Sequence, residues 1–210
     1  VSNEKKVTLY FIRHGETQYN VEKRMQGFCD SPLTEKGIMQ ARSVGRSLTN
    51  TIFEAAYSSD SQRVLDTAKF AIGDRDIPLS IDTRLKEMNF GVFESLLQEE
   101  ISSLYGDALK TLFSLDLHAS APEGESYSQL FERTENAIKD IVKKHSVKGG
   151  NILIFSHGVT IGNYIIQLTQ SKKFTLHENC SVTIVSYLKG KSEIETIADT
   201  SFRENGQKYI

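Results

Sequence analysis

Five side chains have types and settings that could do chemistry together: Arg13, His14, Arg63, Glu87 and His157. Arg13 and His14 close the apolar run Val7-Thr8-Leu9-Tyr10-Phe11-Ile12 and stand directly before Gly15. His157 closes Ile152-Leu153-Ile154-Phe155-Ser156 and stands before Gly158 in the same way. Each of these histidines lies between an apolar run of strand length and a glycine that lets the backbone turn away. Two guanidinium forks suit an anion with several oxygens, to which they donate in a bidentate way. An imidazole with a reference pKa of about 6.5 is mostly neutral at pH 7, and nearby arginines push it further toward that nucleophilic form. A carboxylate beside it could protonate a leaving oxygen, given burial that raises its pKa. The set reads as phosphoryl transfer through a histidine nucleophile, the arginines and second histidine holding the charge in flight.

Other chemistries fit less well. The candidates are too rich in arginine for a metal cage, because their charges would repel a divalent ion, so no metal is expected. No Gly-x-Gly-x-x-Gly, phosphate-loop lysine or Gly-x-Ser-x-Gly elbow is present, and no cofactor is expected. His118, His145 and His177 read as structural, and Glu16, Asp60 and Asp66 as caps or ion pairs.

The elements that must position these groups follow from hydrophobic pattern. Strands are expected at residues 7–12, 54–58, 78–85, 151–155, 181–188 and 193–197, with Glu87 just beyond the third. Gln18 to Ser31 reads as polar and irregular. Helical spacing marks a helix capped by Thr34, a second capped by Ser59-Asp60-Ser61 and ended by Gly73, and a strongly amphipathic one from Tyr127 to His145. The helix start near Arg63 would add backbone donors for an anion. Ile101, Leu104, Tyr105, Ala108 and Leu112 form a helical stripe broken by Gly106, read as an inserted lid over residues 95–123. Ser201 to Ile210 has no legible pattern. Strands alternating with helices imply an α/β fold, a three-layer α/β/α arrangement around a mostly parallel sheet. In such sheets ligands sit beyond the C-terminal strand ends, where all five candidates fall. The expected organisation is one domain over residues 1–210.

Composition agrees with an ordinary globular chain. Of 210 residues, 39% are hydrophobic and 25% charged, with a net charge of −2, which offers no basic stripe to nucleic acid. No apolar run reaches the roughly 18 residues of a membrane span, and the polar start lacks the core of a signal peptide. Cys29 and Cys180 read as reduced thiols, and the cytoplasm is the expected location. The expected partner is a small phosphorylated substrate, with neither nucleic acid nor membrane, and the chain is a monomer or homodimer.

The residues also resemble a known family. Arg13-His14-Gly15-Glu16-Thr17, then Asn20, Gly27, Leu33-Thr34 and Gly37, is similar to the opening of the histidine phosphatase superfamily, also called phosphoglycerate mutase-like. Tyr57-Ser58-Ser59, Arg63, Thr67-Ala68, Leu85-x-Glu87, Gly91, Glu94, Pro122 to Ser126 and Ser156-His157-Gly158 continue the resemblance in order. It implies that His14 is phosphorylated, that Arg13, Arg63 and His157 clamp the phosphoryl group with Gly158 beside them, and that Glu87 is the proton donor and later activates water. It further implies that Asn20 contacts the phosphate and that Gln26-Gly27 lines the substrate pocket. Ser95 stands where the family usually has glycine, so the turn into the lid is expected to differ.

The superfamily holds phosphatases and cofactor-dependent mutases. A mutase must retain doubly phosphorylated intermediates, yet residues 95–121 carry only Lys110 and His118 against Glu99, Glu100, Asp107 and Asp116. The expectation is therefore a metal-independent phosphomonoesterase, with phosphoglycerate mutase second and a catalytically silent binding module third.

Overall fold

The computed structural model describes residues 3–114, 116–171 and 173–208. Val1, Ser2, Leu115, Tyr209 and Ile210, which belong to the N-terminal, lid and C-terminal readings above, lie outside the described residues. Six strands, β1 (Val7–Arg13), β2 (Phe53–Ser58), β3 (Leu79–Ile81), β4 (Gly150–Ser156), β5 (Val182–Leu188) and β6 (Lys191–Asp199), form one sheet in the order β3-β2-β4-β1-β5-β6. The pairs β3/β2, β2/β4 and β4/β1 are parallel, and β5 and β6 add an antiparallel edge. This is the mostly parallel sheet that the alternation of elements implies.

Alternating side chains of the central strands feed two cores. Leu9, Phe11, Ile152 and Ile154 meet α6 (Tyr127–His145) and α7 (Gly158–Thr169) on one face. Ile12, Leu153 and Phe155 meet α2 (Glu35–Ser47) and α3 (Gln62–Ile72) on the other. Leu9, Phe11 and Ile12 are buried almost completely, and each such side chain is worth about 1.5–3 kcal/mol. That burial fixes the register of β1 against β4, which sets Arg13 opposite Ser156; a one-residue slip would turn both strands' functional ends away from the site.

A third cluster, with Met88, Phe90, Phe93, Ile101, Leu112 and Leu130 at its centre, lies beneath α4 (Gln98–Tyr105) and α5 (Ala108–Leu112). Gly106 separates these two short helices, as the broken stripe suggested.

Four local expectations change. The third strand shrinks to Leu79–Ile81, because the Asp82 carboxylate accepts from the Arg84 amide and guanidinium and turns the chain into a 3₁₀ helix at Thr83–Leu85. The polar stretch after β1 contains α1 (Gln18–Glu22), too short for a periodic face but closed by a reciprocal cap between Thr17 and Asn20. Ser61 occupies the N-cap of α3 without a side-chain cap bond; Asp30, from a distant loop, accepts from the Gln62 amide instead. The unread C-terminal segment forms α8 (Ser201–Gln207), which packs on α2.

Ser95 has φ 69°, the left-handed conformation that glycine takes without cost. The turn survives because the Ser95 amide donates to the Met25 carbonyl at 2.8 Å and its carbonyl accepts from Arg24 at 2.8 Å. Ser95→Gly is expected to stabilise the protein by about 0.5 kcal/mol, since relief of about 1 kcal/mol of strain is partly offset by glycine's freedom in the unfolded chain. A urea midpoint that falls instead would show that the hydroxyl's contact with Cys29 Sγ outweighs the strain.

Candidate active site

His14 is delivered by the last residues of β1 and is 2% exposed. Its Nδ1 lies 2.8 Å from the Gly15 carbonyl, which can only accept, so Nδ1 carries the ring proton and Nε2 keeps its lone pair. Burial, then the charges of Arg63 and Arg13, hold this imidazole well below its ordinary pKa. At pH 7 it is neutral with a fixed tautomer, as a nucleophile must be.

Arg13 turns back from the same strand end and donates through Nη1 to the His177 carbonyl at 2.5 Å. Its Nε–H is buried without a partner. Gly158 makes room for it: a Cβ at that position would stand 3.1 Å from the Arg13 Nε. Gly158 is also the first residue of α7, where a backbone N–H has no partner within its own helix.

Arg63 enters from the first turn of α3 and is 1% exposed. One Nη donates to the carbonyl of Cys29 and the carboxylate of Asp30, at 2.9 and 2.8 Å. The other donates to the Gly27 carbonyl at 2.8 Å and to His157 Nδ1 at 3.1 Å. Its Nε–H, like that of Arg13, is buried and unpartnered. The Gly27 loop is shaped for this grip. Gly27 has φ 60°, and a side chain there would collide with the Glu94 carboxylate, which accepts from the Phe28 and Cys29 amides at 2.8 Å each. At the α3 terminus one of the expected donors, the Gln62 amide, is already held by Asp30.

His157 follows β4 and is fully buried, its ring centroid 5.5 Å from that of His14. Burial and the Arg63 charge hold it well below its ordinary pKa too. Glu87 meets the start of the next helix: its carboxylate accepts from the amides of Met88, Val159 and Thr160 and from the Thr160 hydroxyl, at 3.0, 3.2, 3.0 and 2.9 Å. Three of those bonds fall on Oε1, so Oε2 keeps more free lone-pair capacity. Arg133 of α6 donates to the carbonyls of Arg84, Lys86 and Glu87 and sets that backbone in place.

The remaining expected residues sit at the edge of this group. Asn20 uses Oδ1 to accept from the Thr17 amide and from Asn179, which also donates to the His14 carbonyl. Gln26 is buried with both ends of its amide bonded, to Thr17 and Ser31, so it supports the loop rather than presenting a free group.

Converging arginines around a neutral imidazole, with a carboxylate and a second histidine beside it, match the pattern of one family. The description of the histidine phosphatase superfamily (branch 1) fits residues 9–200. The chain belongs to that superfamily. The Escherichia coli O1:K1 / APEC protein named "Probable phosphoglycerate mutase GpmB" is 32% identical over 202 residues, covering 92% of this chain and 93% of that one. The phosphoglycerate mutase of Bacillus anthracis str. Sterne superposes with a TM-score of 0.89 at 32% identity, covering 98% of each chain. The alpha-ribazole phosphatase of Shigella flexneri superposes at 0.82 with 26% identity, covering 92% of this chain and 97% of that one. Superfamily relatives thus include both mutases and phosphatases.

Several residues around this superfamily site carried no legible signal. Arg133, Asn179 and Asp30 act across more than thirty residues of sequence and look like surface polar groups until the chain folds. Thr67 had a signal: four residues after Arg63 on one helix face, its hydroxyl accepts from the Gly15 amide at 2.9 Å. His177 is structural, as read, with Nδ1 facing the Thr175 carbonyl and Nε2 the Thr183 hydroxyl.

The histidines give stability a defined pH dependence. His14 and His157 are held well below 6.5, and burial lowers His177 to about 4. Unfolded, each titrates near 6.5, so between the two values the unfolded chain binds more protons and stability falls as pH drops. For His177 the window from 6.5 to about 4 amounts to about 3 kcal/mol at its full extent. Urea midpoints are expected to decline steadily below pH 6.5. A midpoint unchanged from pH 7 to pH 5 would contradict these three buried neutral rings.

Proposed function

We propose that this protein is a phosphomonoesterase that hydrolyses small phosphorylated metabolites of the cytoplasm, without a metal, through a phosphohistidine on His14. The observation that carries the reading is the pair of buried, unpartnered Nε–H groups on Arg13 and Arg63 beside the neutral His14. A buried donor without an acceptor costs about 1–3 kcal/mol. Two such costs around one nucleophile make sense where a phosphoryl oxygen completes each bond.

In the proposed reaction His14 Nε2 attacks phosphorus in line with the departing oxygen. Arg13, Arg63 and His157 hold the equatorial oxygens, and Asn20 and the Gly158 amide would add further donors to the same group. Glu87 stands at the leaving-group side, giving a proton to the departing alkoxide and then taking one from the water that attacks phosphohistidine. Gly27 and Gln26 form the loop that keeps Arg63 aimed. Residues 95–123 serve as lid. The same cluster of cations would repel a divalent ion, and the described residues contain no group of three or more His, Cys, Asp or Glu side chains able to hold one.

Phosphoglycerate mutase is the second reading, favoured by the names of the relatives above. The lid weighs against it. Lys110 is paired with Asp107 at 2.8 Å, and His118 is exposed with its amide on the Asp116 carboxylate at 2.9 Å, so the segment adds little to a polyanion clamp. Apolar Leu104, Tyr105 and Phe113 are exposed on it. The deciding assay measures phosphate release from p-nitrophenyl phosphate, with and without chelator, alongside mutase turnover with and without 2,3-bisphosphoglycerate. Chelator-resistant hydrolysis is expected. Bisphosphoglycerate-dependent mutase turnover with negligible hydrolysis would replace the first reading by the second, and activity restored only by Mg²⁺ or Zn²⁺ would overturn the metal-free mechanism.

A further inference from the structure

His157 has both ring nitrogens engaged, and the partners define its tautomer. Arginine can only donate, so Nδ1 is the acceptor for Arg63 at 3.1 Å. The ring proton is therefore on Nε2, which donates to the Ser59 hydroxyl at 2.9 Å. Ser59 is fully buried between β2 and α3, and its amide donates to the Phe155 carbonyl at 3.1 Å, on the strand that delivers His157. The hydroxyl's other contacts are long, 3.3 Å from the Ser61 amide and 3.4 Å to its hydroxyl. Serine here is thus more than part of a helix cap.

The tautomer matters because it offers no donor to an anion at Nδ1. On the Arg63 guanidinium the unpartnered Nε adjoins the Nη that touches Nδ1, so a phosphoryl oxygen reaching Nε arrives on the Nδ1 side of His157. There a lone pair repels it and an N–H would attract it. A phosphomonoester monoanion can supply that proton: its O–H bond breaks, an Nδ1–H bond forms, the Arg63 Nη–H turns from Nδ1 to a phosphate oxygen, the phosphate becomes the dianion and His157 the imidazolium, with Nε2–H still on Ser59. A neutral ring protonated only at Nδ1 instead needs a donor facing Nε2. A hydroxyl answers both needs, since it accepts and donates.

We propose that Ser59 is a positioning residue for phosphoryl transfer, its hydroxyl fixing the His157 ring and partnering Nε2 in whichever protonation state the bound anion requires. The proposal rests on the phosphatase reading for its kinetic consequences only. The titratable and charged groups around the ring are Arg63 from α3, Arg13 from β1 and His14 just after it, Arg133 from α6, and Glu87, which follows the Thr83–Leu85 turn and caps α7.

The test compares Ser59→Ala and Ser59→Thr in the full chain. With p-nitrophenyl phosphate, Ser59→Ala is expected to lose roughly 10- to 100-fold in kcat, the range seen when a group orienting a functional histidine is removed, with KM changed by less than about threefold. Its pH–rate profile should shift, and Ser59→Thr should recover most of the loss. Nitrogen-15 spectra of the wild-type ring should show the proton on Nε2 in the free protein and a proton gained at Nδ1 on adding inorganic phosphate; Ser59→Ala should show mixed tautomers. Wild-type kcat and pH profile in Ser59→Ala, or a free wild-type ring protonated at Nδ1, would overturn the proposal. If Ser59→Ala does not fold, the wild-type spectra decide. If wild type hydrolyses no phosphomonoester, the phosphatase reading fails, while the spectra with phosphate still decide the role of Ser59.

Discussion

His14→Ala is expected to abolish phosphate release, by on the order of 10⁴- to 10⁶-fold, because the proposed reaction loses its attacking atom. The fold should survive. His14 is held by one bond to its neighbour's carbonyl, and alanine fits the end of β1 without leaving a charge unpaired. A buried imidazole with a depressed pKa weakens the protein in acid, so the variant's urea midpoint should also fall less steeply below pH 6.5 than that of wild type. Wild type quenched during turnover should carry acid-labile, base-stable phosphate, and the variant none. Near-normal release in a folded variant would remove His14 from the reaction, and an acid-stable phosphoprotein would point to a different nucleophile.

How much of this was legible in the sequence depends on how local each signal was. Arg13, His14 and His157 were legible because each closes a buried strand and precedes a glycine, and a strand's end is fixed by the strand itself. The three layers followed from the alternation of elements for the same reason. What stayed hidden was set by distant partners. Asp30 replaces Ser61 as the acceptor at the α3 terminus, although a Ser-Asp-Ser run is the stronger local cap signal, because Arg63 draws the 27–30 loop onto that helix. The third strand broke early because one carboxylate, Asp82, found a guanidinium two residues away. Glu87 is only 7% exposed, but the cap it makes on α7 needed the helix to be in place. Ser59 read as part of a helix cap, and its partner is almost a hundred residues further on.

Arg63 carries the second large effect, and it couples fold to chemistry. Removing it as Arg63→Met takes the Arg63 donor from the Gly27 and Cys29 carbonyls and from His157 Nδ1, while Asp30 loses its ion pair but keeps the Gln62 and Ser31 amides. A buried acceptor left without its donor costs about 1–3 kcal/mol, and several are left here, so the urea midpoint should drop sharply. Loss of a charge-stabilising donor costs about 10²- to 10³-fold in kcat, and a His157 ring freed from Arg63 adds to that, giving roughly 10³-fold or more in all. Arg63→Lys separates the two roles. An ammonium restores a positive charge but has three donors from one point, so it cannot span both loop carbonyls, Asp30 and His157 while also reaching the phosphoryl group. Lysine should therefore recover part of the stability and little of the rate. Full recovery of rate by lysine would mean that the site needs only a charge at that position, and the fork geometry around Gly27 and Cys29 would then be structural alone. Persistent loss of rate in a stable Arg63→Lys protein would instead tie turnover to the guanidinium's Nε–H, which among the described residues has no partner.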